Sequence, residues 1–383
     1  MKLVVILSRF PYPLEKGDKL RAFHQIKELS KNDEIYLFCL TDQEVKASDK
    51  RVVEEYCREL HILNLNKLGI YWNAGLNLFS DKPFQVGYFY SKKWVKFVEQ
   101  EIRRIEPDHI YAQLIRTSEY VKNIHDIPKT IDYMDALGQG MIRRFKISGG
   151  LRRQFFKSEG QRLLRYEHRI FDYFDHHTII SKQDRGLISH PKNNEISIIE
   201  NGISESFFEP NDCVKEYDLV FVGNMNYAPN IECAQFIVND ILPELTSAKL
   251  LLSGANPSKE IKELERKNVV VSGWVDDIRD SYGSGKIFVA PLFIGTGLQN
   301  KLLEAMAMGL PCITTTLANN ALGATPNENI LIANSKDEFK TAINQLLTDQ
   351  ELYKKISISG QNYVQENFSW ANSVSKLREL FTC

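Results

Sequence analysis

The sequence predicts an α/β protein of two Rossmann-like domains, each a parallel sheet covered by helices on both faces. Three observations carry this expectation. Short apolar runs alternate with amphipathic segments along the chain, which is the pattern of βαβ units with strands buried on both faces. Two such series follow one another, and 383 residues make roughly two domains at about 150 each. The hydrophobic fraction of 43% and charged fraction of 25% are those of an ordinary globular protein and exclude a disordered or collagen-like chain.

The elements read in order. Leu3–Leu7 is a strand ended by Pro11, Pro13 and Gly17, and Leu20, Phe23, Ile26 and Leu29 then mark one face of a helix. Ile35–Leu40 is the next strand, completing a βαβ unit. The alternation continues with a strand at Ile62–Leu65, a helix near Trp94–Ile105, and strands at Ile110–Tyr111 and Thr130–Tyr133. A long helical segment over about 154–174 and strands near Thr178–Ile180 and Ile196–Ile199 close the first half. The second series has strands at Asp218–Gly223, Lys249–Leu252, Val269–Val271, Ile287–Ala290 and Cys312–Thr315. The join falls near Asn201–Pro210, which gives domains of 1–203 and 204–383, and Asp337–Cys383 reads as consecutive helices.

Apolar runs such as Leu3–Leu7 fall far short of the ~20 residues of a membrane helix. That first run is also too short for a signal peptide and lacks a small-residue cleavage site. Cysteines 39, 57, 213, 233, 312 and 383 are scattered, with no CxxC or Cys/His cluster. A reduced, cytoplasmic protein without a structural metal is expected. The net charge of −1 hides a split: residues 1–205 hold 33 Lys/Arg against 28 Asp/Glu, and residues 206–383 hold 15 against 21.

Ligands of open parallel sheets bind at the carboxyl ends of the strands, so the loops after Leu7, Tyr133, Val222, Val271 and Ala290 draw attention. After the last of these comes Gly295-Thr296-Gly297-Leu298-Gln299-Asn300-Lys301, then Glu304, with Gly309 and Pro311 as stop signals. The glycines let backbone N–H groups converge at a helix N-terminus, a ready anion site. Leu298, Leu302, Ala305 and Met306 form its apolar face. Lys301 and Glu304 share one face, so a cation and a carboxylate face a phosphate and paired ribose hydroxyls; a helix turn with a solvated Lys–Glu pair fits the spacing equally. The third glycine of GxGxxG is replaced by Asn300, and Gly283-Ser284-Gly285-Lys286-Ile287 is not a P-loop.

The Gly-Thr-Gly-Leu-Gln-Asn-Lys-Leu-Leu-Glu run resembles the nucleotide-sugar site of GT-B glycosyltransferases of family 4. The resemblance spans nearly the whole chain. Asn201-Gly202 through Pro210 is similar to the family's interdomain segment, Gly223-Asn224-Met225-Asn226 to the first donor-domain loop, and Trp274-Val275-Asp276-Asp277-Ile278-Arg279 to the base-binding loop. Phe368-Ser369-Trp370 resembles the start of the terminal helix, 368–383, that crosses back to the first domain. Phe10 to Pro13, Lys16 to Lys19 and Ile131 to Asp135 are similar to the bacterial subgroup tied to exopolysaccharide export.

The resemblance implies a nucleoside-diphosphate sugar in the second domain, an acceptor on the first, and chemistry in the cleft between them, with retention of configuration and without a bound metal or other cofactor. Glu304 matches the second Glu of the family's E-x7-E motif, which holds the ribose; Thr296 stands where the first would be. Amides around Gly295–Leu298 take the diphosphate, and Val275 and Asp277 contact the base with Trp274 and Arg279 nearby. The first donor-domain loop carries Asn224, Asn226 and Asn230 where many members have an Arg and a Lys, so Lys301 is read as the substitute cation, helped by Gly17, Asn224 and Asn226, with Gly223 among the substrate-binding residues. Where the family has a catalytic His, this chain has Asp132-Tyr133-Met134-Asp135. Strand alternation puts Asp132 and Met134 on one face and leaves Asp135 at the strand's end, as a proton acceptor or as a helix N-cap.

Lys16, Lys19 and Arg21 flank the first loop and suit an acidic acceptor or a phosphate. Arg143, Arg144, Lys146, Arg152, Arg153 and Lys157 interleave with Phe145, Phe155 and Phe156. That mixture suits an anionic membrane surface near a lipid-linked acceptor; a solvated helix with buried Phe fits too, and no nucleic-acid motif accompanies it. The expected function is sugar transfer to a hydroxyl of a glycan or lipid-linked glycan in bacterial surface polysaccharide synthesis. A GT-B nucleotide-sugar epimerase or hydrolase, and a silent nucleotide-sugar-binding scaffold, are the alternatives.

Overall fold

In the computed structural model, seven strands lie in one parallel sheet: β1 (Lys2–Leu7), β2 (Glu34–Thr41), β3 (Glu59–Asn64), β4 (His109–Gln113), β5 (Lys129–Asp132), β6 (His176–Ile179) and β7 (Ser197–Ile198). Their order is β3-β2-β1-β4-β5-β6-β7. The structure describes residues 1–14, 16–66, 69, 70, 75, 77, 80–209, 213–245, 247–293 and 298–382. The apolar runs follow from two-sided burial. Val4 and Ile6 enter one core with Phe38, Leu40 and Ile110. Leu3, Val5 and Leu7 enter the other with Phe23, Ile26 and Leu37, as the two-residue period of a strand requires.

Six parallel strands form the second sheet: β8 (Tyr217–Val222), β9 (Leu250–Ser253), β10 (Val269–Gly273), β11 (Gly285–Ala290), β12 (Cys312–Thr314) and β13 (Leu331–Ile332), ordered β10-β9-β8-β11-β12-β13. In each sheet the order reverses at one place, between β1 and β4 in the first and between β8 and β11 in the second. The crevice at such a switch point is where this architecture binds ligands.

Two compact units result: Met1–Asn201 with Ser373–Cys383, and Gly202–Asn372. The chain ends in helices Lys336–Thr348, Gln350–Asn367 and Trp370–Thr382. Within the second unit, the Ile203 amide donates to the Phe368 carbonyl at 2.7 Å, and a Cβ on Gly202 would lie 2.3 Å from the Trp370 nitrogen. Within the first unit, Val374, Leu377 and Phe381 of the last helix pack with Leu3, Val5 and Leu7. Arg378 clasps the buried Asp33 at 2.8 and 3.2 Å.

Several expected boundaries move. The segment expected at 154–174 is the helix Gly150–Phe171, preceded by a separate helix, Leu137–Ile147, that packs against it. The terminal helix starts at Trp370 rather than at 368. Leu298 was placed on the helix after the glycine loop, yet that helix is Asn300–Ala307 with Gln299 as its N-cap. Leu298 instead packs against the second unit's core from the segment before it. The helix end follows expectation: Gly309 has φ of 68°, and the Leu310 amide reaches back to the Ala305 carbonyl at 3.0 Å, closing it as a left-handed glycine cap.

Candidate functional site

In the second unit Gly223, Asn230 and Lys301 come together at the end of β8, one of the two strands at the switch point. Lys301 is the second residue of its helix, and its ammonium donates to Asn230 Oδ1. It lies 5.0 Å from the centroid of the Phe221 ring at the end of β8. A Cβ on Gly223 would sit 3.3 Å from Lys301 Nζ and 2.7 Å from Asn230 Nδ2, so any side chain there would displace this pair. The loop after β9 presses on the same place: a Cβ on Gly254, at φ of 137°, would lie 1.9 Å from the Gly223 carbonyl oxygen.

The three asparagines of the β8 loop divide their work. Asn230, buried, donates through Nδ2 to the Asn224 carbonyl at 2.9 Å, and Asn224 Oδ1 accepts from the Asn226 amide at 3.1 Å. The side chains of Asn224 and Asn226 are exposed at the strand end. Lys301 therefore supplies a cation where the loop itself has none. Burial lowers its pKa, against the raising effects of Cys233 and Glu304, so the ammonium is poorly solvated and gains from an anion beside it.

Glu304, one turn on, accepts a 2.7 Å hydrogen bond from Tyr282 Oη through one carboxylate oxygen. Burial raises its pKa, with Tyr282 and Lys301 opposing. Asn230 and Tyr282 are the partners that sequence reasoning did not assign. They stand 71 and 22 residues from the groups they hold; the sequence marks Asn230 only as an uncharged residue of the first donor-domain loop, and nothing in the local pattern marks Tyr282.

Asp277 and Arg279 are largely occupied with each other. Asp277 caps the helix Ile278–Gly283 through the Arg279 amide and pairs with the Arg279 guanidinium at 2.6 Å. Arg279 also donates to the Ser206 carbonyl at 3.0 Å and pairs with Glu209 at 3.3 Å. That leaves Trp274, 69% exposed, and Val275 as the uncommitted part of this loop. Gly295, Thr296 and Gly297 lie outside the described residues.

The remaining predicted residues belong to the first unit. Gly17 opens the helix Gly17–Leu29 after β1, where a Cβ would meet nothing within 4 Å. Lys19 lines a cavity of about 540 Å³ beside it. Asp132 does not share a face with Met134: β5 ends at Asp132, and Met134 has φ of 59°. Asp132 instead sits fully buried, accepting from Arg21 Nε at 2.7 Å, Tyr111 Oη at 2.9 Å and Thr178 Oγ1 at 2.9 Å. Arg21, read as a flank of the first loop, is committed to this network and reaches Asn201 Oδ1 at 2.8 Å. Asp135 is not a helix cap, since Ala136 holds that position. Desolvation, then the charges of Asp184 and Asp132, raise its pKa, with Arg21 and Arg143 opposing.

All six cations of the basic stretch are exposed. Arg153 and Lys157 stand 5.0 and 6.0 Å from the Phe145 ring, and Phe155 is 46% exposed rather than buried. Among the described residues no helix is long and apolar enough to cross a membrane.

The fold is that of GT-B glycosyltransferases: two parallel-sheet α/β units, with solved relatives of that architecture. Anabaena HepE in complex with UDP superposes with a TM-score of 0.67 over 100% of both chains at 14% identity. Residues 216–349, which contain Gly223, Asn230, Lys301 and Glu304, match the family model described as "Glycosyl transferases group 1". An uncharacterized 44.6 kDa protein in the cps region of Klebsiella pneumoniae is 21% identical, with 96% of each chain covered. The Escherichia coli UDP-Gal:alpha-D-GlcNAc-diphosphoundecaprenol alpha-1,3-galactosyltransferase is 26% identical over 210 residues, 49% of this chain and 54% of that one. Family match and relatives together support a glycosyltransferase.

Proposed function

We propose that the protein is a retaining glycosyltransferase that moves a sugar from a nucleoside-diphosphate donor to a hydroxyl of a glycan or lipid-linked glycan in bacterial surface polysaccharide synthesis. The observation that carries this reading is the desolvated Lys301 ammonium at the carboxyl ends of β8 and β11, held against Gly223 by Asn230. Departure of a nucleoside diphosphate develops negative charge on phosphate oxygens, and a preorganised cation in a dry site is the group that stabilises it. Lys301 fills this role without a bound metal. Glu304 takes the ribose hydroxyls through the carboxylate oxygen that Tyr282 leaves open, and the Trp274–Val275 stretch meets the base.

On the first unit Asp135 receives the proton of the acceptor hydroxyl, a task that suits a carboxylate whose pKa lies above the usual range. The exposed cations from Arg143 to Lys157, with Phe155, rest on anionic lipid, which places the enzyme at the cytoplasmic face of the membrane. UDP is the first nucleotide to try, because it is named for both the galactosyltransferase relative and the HepE complex.

The test is a thermal shift of the full chain with UDP, GDP, ADP, dTDP and CMP. A ligand at 100 times its Kd stabilises the folded state by about 2.7 kcal/mol. One nucleoside diphosphate is expected to raise the melting temperature, and Glu304→Ala to abolish the rise. No shift with any of the five would overturn the proposal. An epimerase or hydrolase would consume the sugar nucleotide with no acceptor present, and a scaffold would bind it without turnover.

A further inference from the structure

The cavity of about 540 Å³ in the first unit is formed by the loops after β1, β2 and β4 and the helix Phe84–Phe89, and its size is that of a small-molecule site. Its charge is unevenly satisfied. Asp42 accepts from the Tyr88 hydroxyl, and Arg9 pairs with Asp18. Arg116 has no carboxylate within salt-bridge distance among the described residues. Its guanidinium donates twice to one uncharged oxygen, Gln85 Oε1, at 3.1 and 2.5 Å, and stands 5.4 Å from the Phe89 ring, which Arg9 also approaches at 5.9 Å.

Because Gln85 spends its oxygen on Arg116, its amide nitrogen is a donor, and that nitrogen is buried without a partner among the described residues. Burial and the neighbouring Arg9 charge lower the Arg116 pKa to about 10, against the raising effects of Asp18 and Asp135. A half-buried guanidinium with spare N–H groups, beside an orphaned amide donor, is a site that lacks an acceptor of hydrogen bonds. Lys16, Lys19 and Lys46 line the same space together with Glu44 and Asp49, as do Tyr12 and Phe84.

The geometry points to an anionic saccharide as the ligand of this cavity, its phosphate or carboxylate bound by Arg116 and the Gln85 amide and its ring lying against the aromatic wall. Taken with the transferase reading, on which this inference rests, the ligand is the acceptor: the sugar to be extended carries a negative charge near its reacting end.

The experiment is calorimetric titration of the full chain with glucose 1-phosphate, glucuronate and glucose. At least one of the two anions is expected to bind at least tenfold more tightly than glucose, and which one does so separates phosphate from carboxylate. Arg116→Gln is expected to weaken that binding at least tenfold, Gln85→Met several-fold, and Lys301→Ala not at all. Equal binding of glucose, binding unchanged by Gln85→Met, or a loss that follows Lys301→Ala would overturn the assignment. Gln85→Met retains a side chain of the same length and decides the matter even if Arg116→Gln fails to fold. Failure of nucleotide binding would overturn the transferase reading and leave this titration unaffected, so the two can fail separately.

Discussion

Replacing Lys301 by methionine removes one charge while keeping an unbranched side chain over the Phe221 ring. In the free protein two effects oppose each other. The poorly solvated ammonium is gone, which relieves a cost. Asn230 Oδ1 loses its donor, which costs about 1–3 kcal/mol in a buried setting. The melting temperature without ligand is therefore expected to move little. With a nucleoside diphosphate the variant loses a charge-assisted contact worth about 1.5–3 kcal/mol, or roughly 10- to 150-fold in Kd. A pH signature accompanies it. The Lys301 pKa is lowered in the free protein and rises beside a phosphate, so binding takes up a proton where the pH lies above the free-protein value. Affinity of the parent protein should fall as pH rises through the free-protein pKa, and Lys301→Met should lose that slope. Calorimetry with UDP in two buffers of different ionisation enthalpy, above about pH 7.5 where a terminal phosphate is fully ionised, measures both. A Kd within twofold of the parent and an unchanged slope would refute the role given to Lys301.

Two further predictions concern buried charge in the first unit. Arg21→Met strands Asp132 in the core with its hydroxyl donors alone and should cost about 3–5 kcal/mol by urea denaturation. Arg21→Met with Asp132→Asn should recover most of that, and no recovery would refute the pairing. Glu167 is buried, takes one 2.9 Å bond from the Gly138 amide and leaves Oε2 without a partner among the described residues. Burial raises its pKa from 4.5 to about 7. The folded state thus holds an extra proton between those values, and stability falls as pH rises through that window. Glu167→Gln does not titrate, so it should match the parent at pH 5 and exceed it by roughly 2–4 kcal/mol at pH 8; equal stability at both pH values would refute the argument.

What was legible in the sequence follows the range of the interactions. Strands β1, β2, β8 and β11 are visible because two-sided burial writes a continuous apolar run. β13 is two residues long and has no periodicity to detect. The break between the helices Leu137–Ile147 and Gly150–Phe171 falls at Ser148-Gly149, a turn signal inside an otherwise helical stretch. At the site, Lys301 and Glu304 stand out because one helical turn relates them. Arg21 was read as a loop-flanking cation because arginine is usually exposed; the carboxylate that draws it inward is 111 residues away. Asp132 was not marked as the centre of a buried network for the same reason. A buried network is decided by topology, and the spacing along one strand carries no trace of it.

The last helix of the first unit has a consequence for how the protein is made. Leu3, Val5 and Leu7 leave the ribosome long before the Val374, Leu377 and Phe381 that complete their core. Arg378 of that helix is also one of the partners of Asp33. During synthesis that face of the first sheet, covered in part by the helix Gly17–Leu29, stays incomplete while some 170 residues of the second unit, Gly202–Asn372, are added. The second unit has no such debt to the far end of the chain and can close as soon as residue 372 is free. The unit begun first is thus the one completed last.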